Sequence, residues 1–247
     1  MNNFKGQVVI VTGGANGIGG ATAELFRELG AQVIVFDCEV PHLKSEIRNI
    51  VIDLGDLNAC EEAVETVYQM FGRIDVLVNV AGVSIPNLIL ELEHDKYSST
   101  LNVNLHAPVF LMKYVGKIMS KQSYGRIVNI SSIHGKLSEP TSAAYDISKA
   151  GLEAATRTAA LELAAYGVLV NAVAPGFVIT RMSVIEGKDE LESDWFNDIY
   201  IKNKRLPIGR AALPVEIARV IAWLSSHSNT YLTGQTLTVD GGLSARF

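Results

Sequence analysis

Apolar residues along this chain fall into short, nearly unbroken Val/Ile runs that alternate with stretches of helical spacing. Gln7–Thr12 (QVVIVT) is such a run; after a glycine-rich turn, Ala21, Leu25 and Leu29 recur every four residues, the spacing of one helix face. The same alternation predicts further strands at Gln32–Phe36, Asn49–Ile52, Asp75–Asn79, Arg126–Ile130, Val168–Ala174 and Thr236–Val239. Between them it predicts helices over Glu61–Phe71, Asp95–Ser120, Ala143–Ala165 and Pro214–Ser226. Strands without polar alternation are covered on both faces, and repeated βα units require parallel pairing with right-handed crossovers. The expected fold is therefore α/β: a doubly wound, Rossmann-type parallel sheet of about seven strands with helices on both faces, with residues 1–247 forming one domain. Gly176–Leu206 breaks the pattern, with mixed charges and aromatics that read as exposed. Long loops in compact domains are usually functional, so a substrate lid is expected over about 177–206.

Composition narrows the function. The 247 residues are 48% hydrophobic and 19% charged, which excludes a disordered or fibrous chain. Lys plus Arg is 21 against 26 for Asp plus Glu, a net charge of −5, so the basic footprint of a nucleic-acid binder is missing. Two cysteines, Cys38 and Cys60, exclude a disulfide scaffold and are too few for a structural zinc site. The five histidines, His42, His94, His106, His134 and His227, show no metal-ligand spacing, so no metal is expected. No signal-peptide pattern opens the chain, and no apolar run approaches the roughly 20 residues that span a bilayer. A soluble, cytoplasmic protein without membrane contact is expected.

The first candidate for chemistry is the turn Thr12-Gly13-Gly14-Ala15-Asn16-Gly17-Ile18-Gly19, between the first strand and the first helix. Glycines there permit a sharp turn, close approach of a pyrophosphate to the backbone, and tight packing of helix on sheet. The helix N-terminus then offers free N–H groups and a positive dipole end. A glycine cluster alone is equally a tight turn; its place after a strand and before an amphipathic helix favours a dinucleotide site. Asp37, about twenty residues on at the end of the second strand, is suited to the ribose hydroxyls of an adenosine, or alternatively to capping a following helix. An adenosine 2′-phosphate near Asp37 would be repelled by about 3 kcal/mol at about 5 Å and an effective dielectric near 20. Asn16, Cys38 and Glu39 supply no cation against this, so NAD is expected to win over NADP by at least about a hundredfold.

Tyr145-Asp146-Ile147-Ser148-Lys149 opens a helix and places a phenol and an ammonium on one face. By itself such a pair is commonly a surface pair. As a base near neutral pH the phenol needs its pKa lowered from about 10 to about 7, roughly 4 kcal/mol of stabilisation of the phenolate. A lysine and an oxidised nicotinamide ring are positive charges of the right kind. Thirteen residues before Tyr145, Ser131-Ser132 ends the strand Arg126–Ile130, at the edge where α/β sheets bind ligands; either serine is otherwise a turn residue.

In combination these residues resemble the short-chain dehydrogenase/reductase family, in its single-domain branch, over essentially the whole chain. Thr12-Gly13-x-x-x-Gly17-x-Gly19 is similar to the family's glycine motif, with Asn16 and Ile18 inside it; Ser132, Tyr145 and Lys149 correspond to its catalytic residues, and Asn104 to the asparagine that completes the tetrad. The resemblance implies adenine contacts from Asp53-Leu54, cofactor contacts from Asn79, Ala81 and Gly82, and nicotinamide contacts from Pro175-Gly176, Val178 and Thr180. Thr233-Gly234-Gln235 and Val239-Asp240-Gly241-Gly242 resemble the C-terminal signature. Asn79-Val80-Ala81-Gly82 departs from the family's Asn-Asn-Ala-Gly, which puts one supporting hydrogen bond in question.

The resemblance implies reversible hydride transfer between NAD and an alcohol or carbonyl carbon. Tyr145 would act as general acid/base, Lys149 would lower its pKa and hold the ribose, Ser132 would orient the substrate oxygen, and Asn104 would support a water. It also implies a homotetramer, assembled through the helices Asp95–Ser120 and Ala143–Ala165. Substrate choice is expected in Ser84–Asn87, Ile133–Thr141 and Phe177–Leu206, where Phe177, Trp195, Phe196 and Tyr200 mix with Arg181, Lys188, His134, Lys136 and Glu139. Such interleaving suits a small hydroxylated or acidic substrate, such as a polyol, sugar or cyclic diol, better than a steroid. His134 is either a substrate contact or a solvated loop residue. The alternatives are a 3-oxoacyl-carrier-protein reductase, which normally uses NADPH, an NAD(H)-sensing regulator on the same fold, and a structural partner in a larger assembly.

Overall fold

The computed structural model describes residues 3–40, 46–185 and 187–245. His42 lies outside them. Seven parallel strands form one sheet in the order β3-β2-β1-β4-β5-β6-β9. They are β1 (Val8–Thr12), β2 (Gln32–Asp37), β3 (Arg48–Val51), β4 (Val76–Asn79), β5 (Gly125–Ile130), β6 (Val168–Pro175) and β9 (Thr236–Val239). The helices between them are α1 (Gly17–Glu28), α2 (Leu57–Phe71), α3 (His94–Leu101), α4 (Ala107–Gln122), α5 (Ala143–Leu163) and α7 (Pro214–Leu224). α2 starts four residues before its expected onset because Asp56 caps it: Oδ1 accepts from the N–H groups of Asn58 at 2.9 Å and Ala59 at 3.2 Å.

The Val/Ile runs serve two cores at once, because successive strand side chains point to opposite faces. Val8 and Ile10 of β1 join Ile34, Phe36, Val67, Leu111 and Val115 beneath α2, α4 and α5. Val9 and Val11 face the other way, onto Phe26, Val33, Val35, Ile217 and Ile221 beneath α1 and α7.

Two departures from the sequence reading matter for the site. The helix expected over Asp95–Ser120 is interrupted by a π-helical turn at Asn102–His106. Pro108, just inside α4, has no N–H to donate to the Asn104 carbonyl, so an α-helical ladder cannot run through this point. The segment 177–206 is not bare loop: it holds a hairpin, β7 (Val184–Ile185) with β8 (Lys188–Asp189), the short helix α6 (Asp194–Phe196), and a π-helical stretch at Asn197–Lys202. Its aromatics pack on each other, with ring centroids of Phe177 and Phe196 at 5.0 Å and of Phe177 and Tyr200 at 4.7 Å. Phe196 is buried; Trp195 remains exposed.

β1 lies between β2 and β4: the chain runs outward from β1 through β2 to β3, then crosses back to β4 on the other side, and this reversal opens a crevice beyond the C-terminal ends of β1 and β4.

Candidate active site

The β1–α1 turn lines one end of that crevice. Gly13 has φ +65°, and a Cβ there would lie 2.7 Å from the Cα of Ala81, so only glycine fits. A Cβ on Gly19 would overlap the carbonyl oxygen of Gly13, which keeps α1 close to the turn. Asn16 precedes α1 in an extended conformation and makes no side-chain cap, so the first-turn N–H groups of Gly17, Ile18 and Gly19 keep their capacity for an anion.

Among the described residues Asp37 caps no helix. Its Oδ2 accepts from the N–H of Ala15 at 2.9 Å and its Oδ1 from that of Glu39 at 3.1 Å, which ties the end of β2 to the phosphate turn. The Asn16 Nδ2 and the Arg181 guanidinium both donate to Glu39 Oε2, at 3.3 and 3.0 Å. This corrects two expectations. Arg181 faces the Asp37 end of the crevice rather than joining the group around His134 and Glu139, and that end has a cation nearby, already paired with Glu39.

Asp53 is exposed and accepts from the N–H of Gly55 at 2.8 Å, whereas Leu54 is buried. Asn79 donates to Asn129 Oδ1 at 2.8 Å, and its own Oδ1 is buried without a partner. The Val80 position is supported from elsewhere: Thr12 Oγ1 accepts from the N–H groups of Val80 at 3.0 Å and Ala81 at 3.1 Å. Thr12 stood in the glycine motif, but nothing local in the sequence reveals that it holds the turn after β4. Across the crevice, Pro175 ends β6, Gly176 donates to the Val239 carbonyl at 3.1 Å, and Val178 bridges to Ala212. Thr180 reaches α1; its methyl would lie 3.2 Å from a Cβ on Gly17.

The four expected catalytic side chains converge from three elements. Asn104, in the π-helical turn, is fully buried; its Oδ1 accepts from the N–H of Val83 at 2.8 Å, and its Nδ2 donates to the Val83 carbonyl at 2.8 Å and to Ser148 Oγ at 3.2 Å. Lys149 is buried on α5, donates from Nζ to the Ile130 carbonyl at 2.8 Å, and lies 5.5 Å from the centroid of the Tyr145 ring. Gly82 keeps both within reach: a Cβ on it would lie 3.4 Å from Asn104 Oδ1 and 3.5 Å from Lys149 Nζ. Burial lowers the Lys149 ammonium to about 8. Burial raises the Tyr145 phenol, the hydrogen-bonded Ser132 hydroxyl opposes this, and the Asp146 carboxylate adds to it. The protein matrix therefore resists the phenolate.

Ser132, two residues past β5, accepts at Oγ from the N–H of His134 at 3.2 Å. Beneath it, Ser131 Oγ donates at 2.9 Å to Glu153, a buried carboxylate one turn after Lys149. The i, i+4 spacing from Lys149 was the available signal for Glu153. His134 is not a solvated loop residue: its Nδ1 lies 2.7 Å from Asp146 Oδ1, and its ring meets that of Tyr145 edge-on at 5.6 Å. The segment 177–206 comes close to Glu139 on the outer side, where burial first and then the Glu139 charge raise both Glu190 and Tyr200. Among the described residues no group of His, Cys, Asp or Glu is placed to hold a metal ion, and no helix is long and apolar enough to cross a membrane.

Comparison with known proteins agrees in architecture and differs in detail. A family model described as Enoyl-(Acyl carrier protein) reductase matches residues 13–244. The 3-oxoacyl-[acyl-carrier-protein] reductase FabG of Thermotoga maritima is 38% identical over 250 residues, covering 97% of this chain and 98% of that protein. The enzyme of the same name from Rickettsia bellii is 35% identical, covering 98% and 99%. Among solved structures, the ligand-free aldohexose dehydrogenase of Thermoplasma acidophilum superposes with a TM-score of 0.89 at 29% identity, covering 98% of this chain and 96% of that one. A putative gluconate dehydrogenase from Agrobacterium tumefaciens gives 0.90 at 28%, covering 99% and 98%.

Proposed function

The chain belongs to the short-chain dehydrogenase/reductase family and is an oxidoreductase of CH–OH or keto groups; from that premise we propose that it interconverts a ketone and a secondary alcohol with NAD(H), using Tyr145 as general acid and base. The observation that carries this reading is the convergence of Ser132, Tyr145, Lys149 and Asn104 at the end of the crevice. The crevice fits a dinucleotide: an uncapped helix N-terminus for the pyrophosphate, a Gly13 turn that admits no Cβ, and the Asp37 carboxylate for the adenosine ribose. When bound, the dinucleotide supplies or takes up a hydride at its nicotinamide ring.

The chain's own groups perform the rest. Ser132 Oγ donates to the substrate oxygen and holds it against the Tyr145 hydroxyl. In reduction the phenol gives its proton to that oxygen as the alcohol forms; in oxidation the phenolate takes it back. Lys149 favours the phenolate by its charge and contributes to holding the nicotinamide ribose. Asn104, held from both sides by Val83, keeps the π-helical turn against Lys149 and supports a water there. A proton donor and a hydroxyl aimed at one oxygen suit a C=O bond better than a C=C bond. Homotetramer formation belongs to the same proposal, supported by the exposed Leu161 on α5.

For the substrate, the names of the relatives favour a 3-oxoacyl thioester. A small polyol, sugar or cyclic diol is the second reading. The paired acidic groups Glu139 and Glu190 at the mouth favour it, since they repel an anionic substrate, and the likeness to an aldohexose dehydrogenase agrees.

The test is nicotinamide absorbance with NAD(H) and NADP(H) against 3-oxoacyl thioesters, polyols, sugars, cyclic diols and simple secondary alcohols, beside Tyr145→Phe. Turnover that falls about 10²- to 10⁴-fold in the variant, with NADH binding kept, is expected. Equal turnover in the variant rejects the role of Tyr145.

A further inference from the structure

His134 is a titratable group beside the candidate chemistry, its ring 5.6 Å from that of Tyr145, that the proposed reaction does not use. It sits two residues past Ser132, in the single 3₁₀ turn Ile133–Gly135, and its N–H is tied to Ser132 Oγ. That bond comes from the backbone N–H, so it fixes the main chain carrying the imidazole relative to the hydroxyl proposed to hold the reacting oxygen. Asp146 fixes the ring itself: Oδ1 lies 2.7 Å from Nδ1 and is itself part-buried, on the helix residue next to Tyr145. The edge-on contact with the Tyr145 ring is a third constraint.

The three constraints leave one ring atom uncommitted. Nε2 lies 3.9 Å from Glu139 Oε2, too far for a hydrogen bond, and has no other hydrogen-bond partner among the described residues. Because the carboxylate accepts the Nδ1 proton, the state of Nε2 follows from the charge of the ring. It accepts in the neutral imidazole and donates in the imidazolium.

We propose that His134 binds, through Nε2, a second oxygen of the substrate, carried on the carbon next to the reacting one or one carbon beyond, and that Asp146 is the positioning residue that orients the ring. This rests on the proposed ketone–alcohol chemistry and deepens it, since it excludes simple ketones and mono-alcohols as preferred substrates. The shared feature is an oxygen near the reacting carbon: the neighbouring hydroxyl of a diol or sugar, or the thioester carbonyl of a 3-oxoacyl group. A site built to pair such an oxygen discriminates against the analogue lacking it, because the analogue leaves the oriented ring nitrogen unpaired.

The experiment compares matched pairs. Wild-type enzyme is assayed in mildly alkaline buffer with cis-cyclohexane-1,2-diol against cyclohexanol, and with ethyl 3-oxobutanoate against 2-hexanone. The quantity read is the ratio of kcat/KM within each pair. A wild-type ratio of at least about tenfold in one pair identifies the source of the second oxygen, and that ratio is expected to collapse towards one in His134→Ala. His134→Gln, which keeps a polar tip, recovers part of it. Asp146→Asn changes the group facing Nδ1 from acceptor-only to one that can donate, so it releases the ring to the other tautomer and shifts the preference between the pairs, which a purely structural role would not do.

A His134→Ala ratio equal to wild type in both pairs overturns the inference, and so does a wild type that prefers neither di-oxygen compound. In either case turnover itself stands, and the ketone–alcohol reading survives. Absence of turnover with all four compounds and both nicotinamides rejects that reading, and the inference with it.

Discussion

Glu39 and Arg181 are 142 residues apart in the chain, and their side chains meet at 3.0 Å. The contact joins the end of β2, where the Asp37 carboxylate is held, to the segment 177–206, and it brings a guanidinium to the end of the crevice proposed for the adenosine. While Glu39 pairs with it, the local charge remains that of a carboxylate surplus, which opposes a 2′-phosphate.

Cofactor choice is therefore expected to depend on both acids, unequally. Asp37→Ser removes the buried carboxylate and should lower the NAD-over-NADP ratio of kcat/KM by about a hundredfold. Glu39→Gln frees an exposed Arg181 and should lower it by only about three- to tenfold, since exposed ion pairs are screened and weak. A Glu39→Gln ratio unchanged from wild type would show that Arg181 does not reach the phosphate.

The buried Lys149 makes stability depend on pH in a definite sense. Its folded value of about 8 lies below the ordinary 10.5, so between these values the unfolded chain binds more protons and stability rises with pH. The raised Tyr145 phenol acts oppositely, but only above its ordinary value of 10. Urea unfolding of wild type and Lys149→Met should show the difference moving in favour of wild type by about 2 kcal/mol between about pH 7 and about pH 9.5. A difference that stays constant with pH rejects a desolvated ammonium.

Thr12 carries the corner between β1 and β4 on one hydroxyl. Thr12→Val keeps the shape and leaves the N–H groups of Val80 and Ala81 without that acceptor. A loss of about 1–3 kcal/mol in stability is expected, with weaker NADH binding, because Ala81 abuts Gly13 of the phosphate turn. Stability and NADH affinity both equal to wild type would contradict this role.

Most of the sheet was legible in the chain because continuous Val/Ile runs such as Val8–Val11 suit strands covered on both faces. Ser132, Tyr145, Lys149 and the glycine turn were legible for a related reason: each sits at a strand end or a helix start, positions that local spacing reports. The break at Asn102–His106 was hidden because the apolar spacing runs on through it, even though Pro108 signalled the missing donor.

The sequence by itself determined the layered α/β architecture, the uncapped glycine turn and the helical pairing of phenol with ammonium, since these follow from period, chirality and the reach of a few bonds along one chain. Tertiary structure alone decided that Arg181 turns to Glu39 rather than towards His134 and Glu139, that His134 meets Asp146, that Ser131 rests on the buried Glu153, and that Phe177, Phe196 and Tyr200 fold the segment 177–206 onto itself. Several side chains compete for each of these partners, and the choice is settled by packing and charge between segments that meet only when the sheet has brought them together.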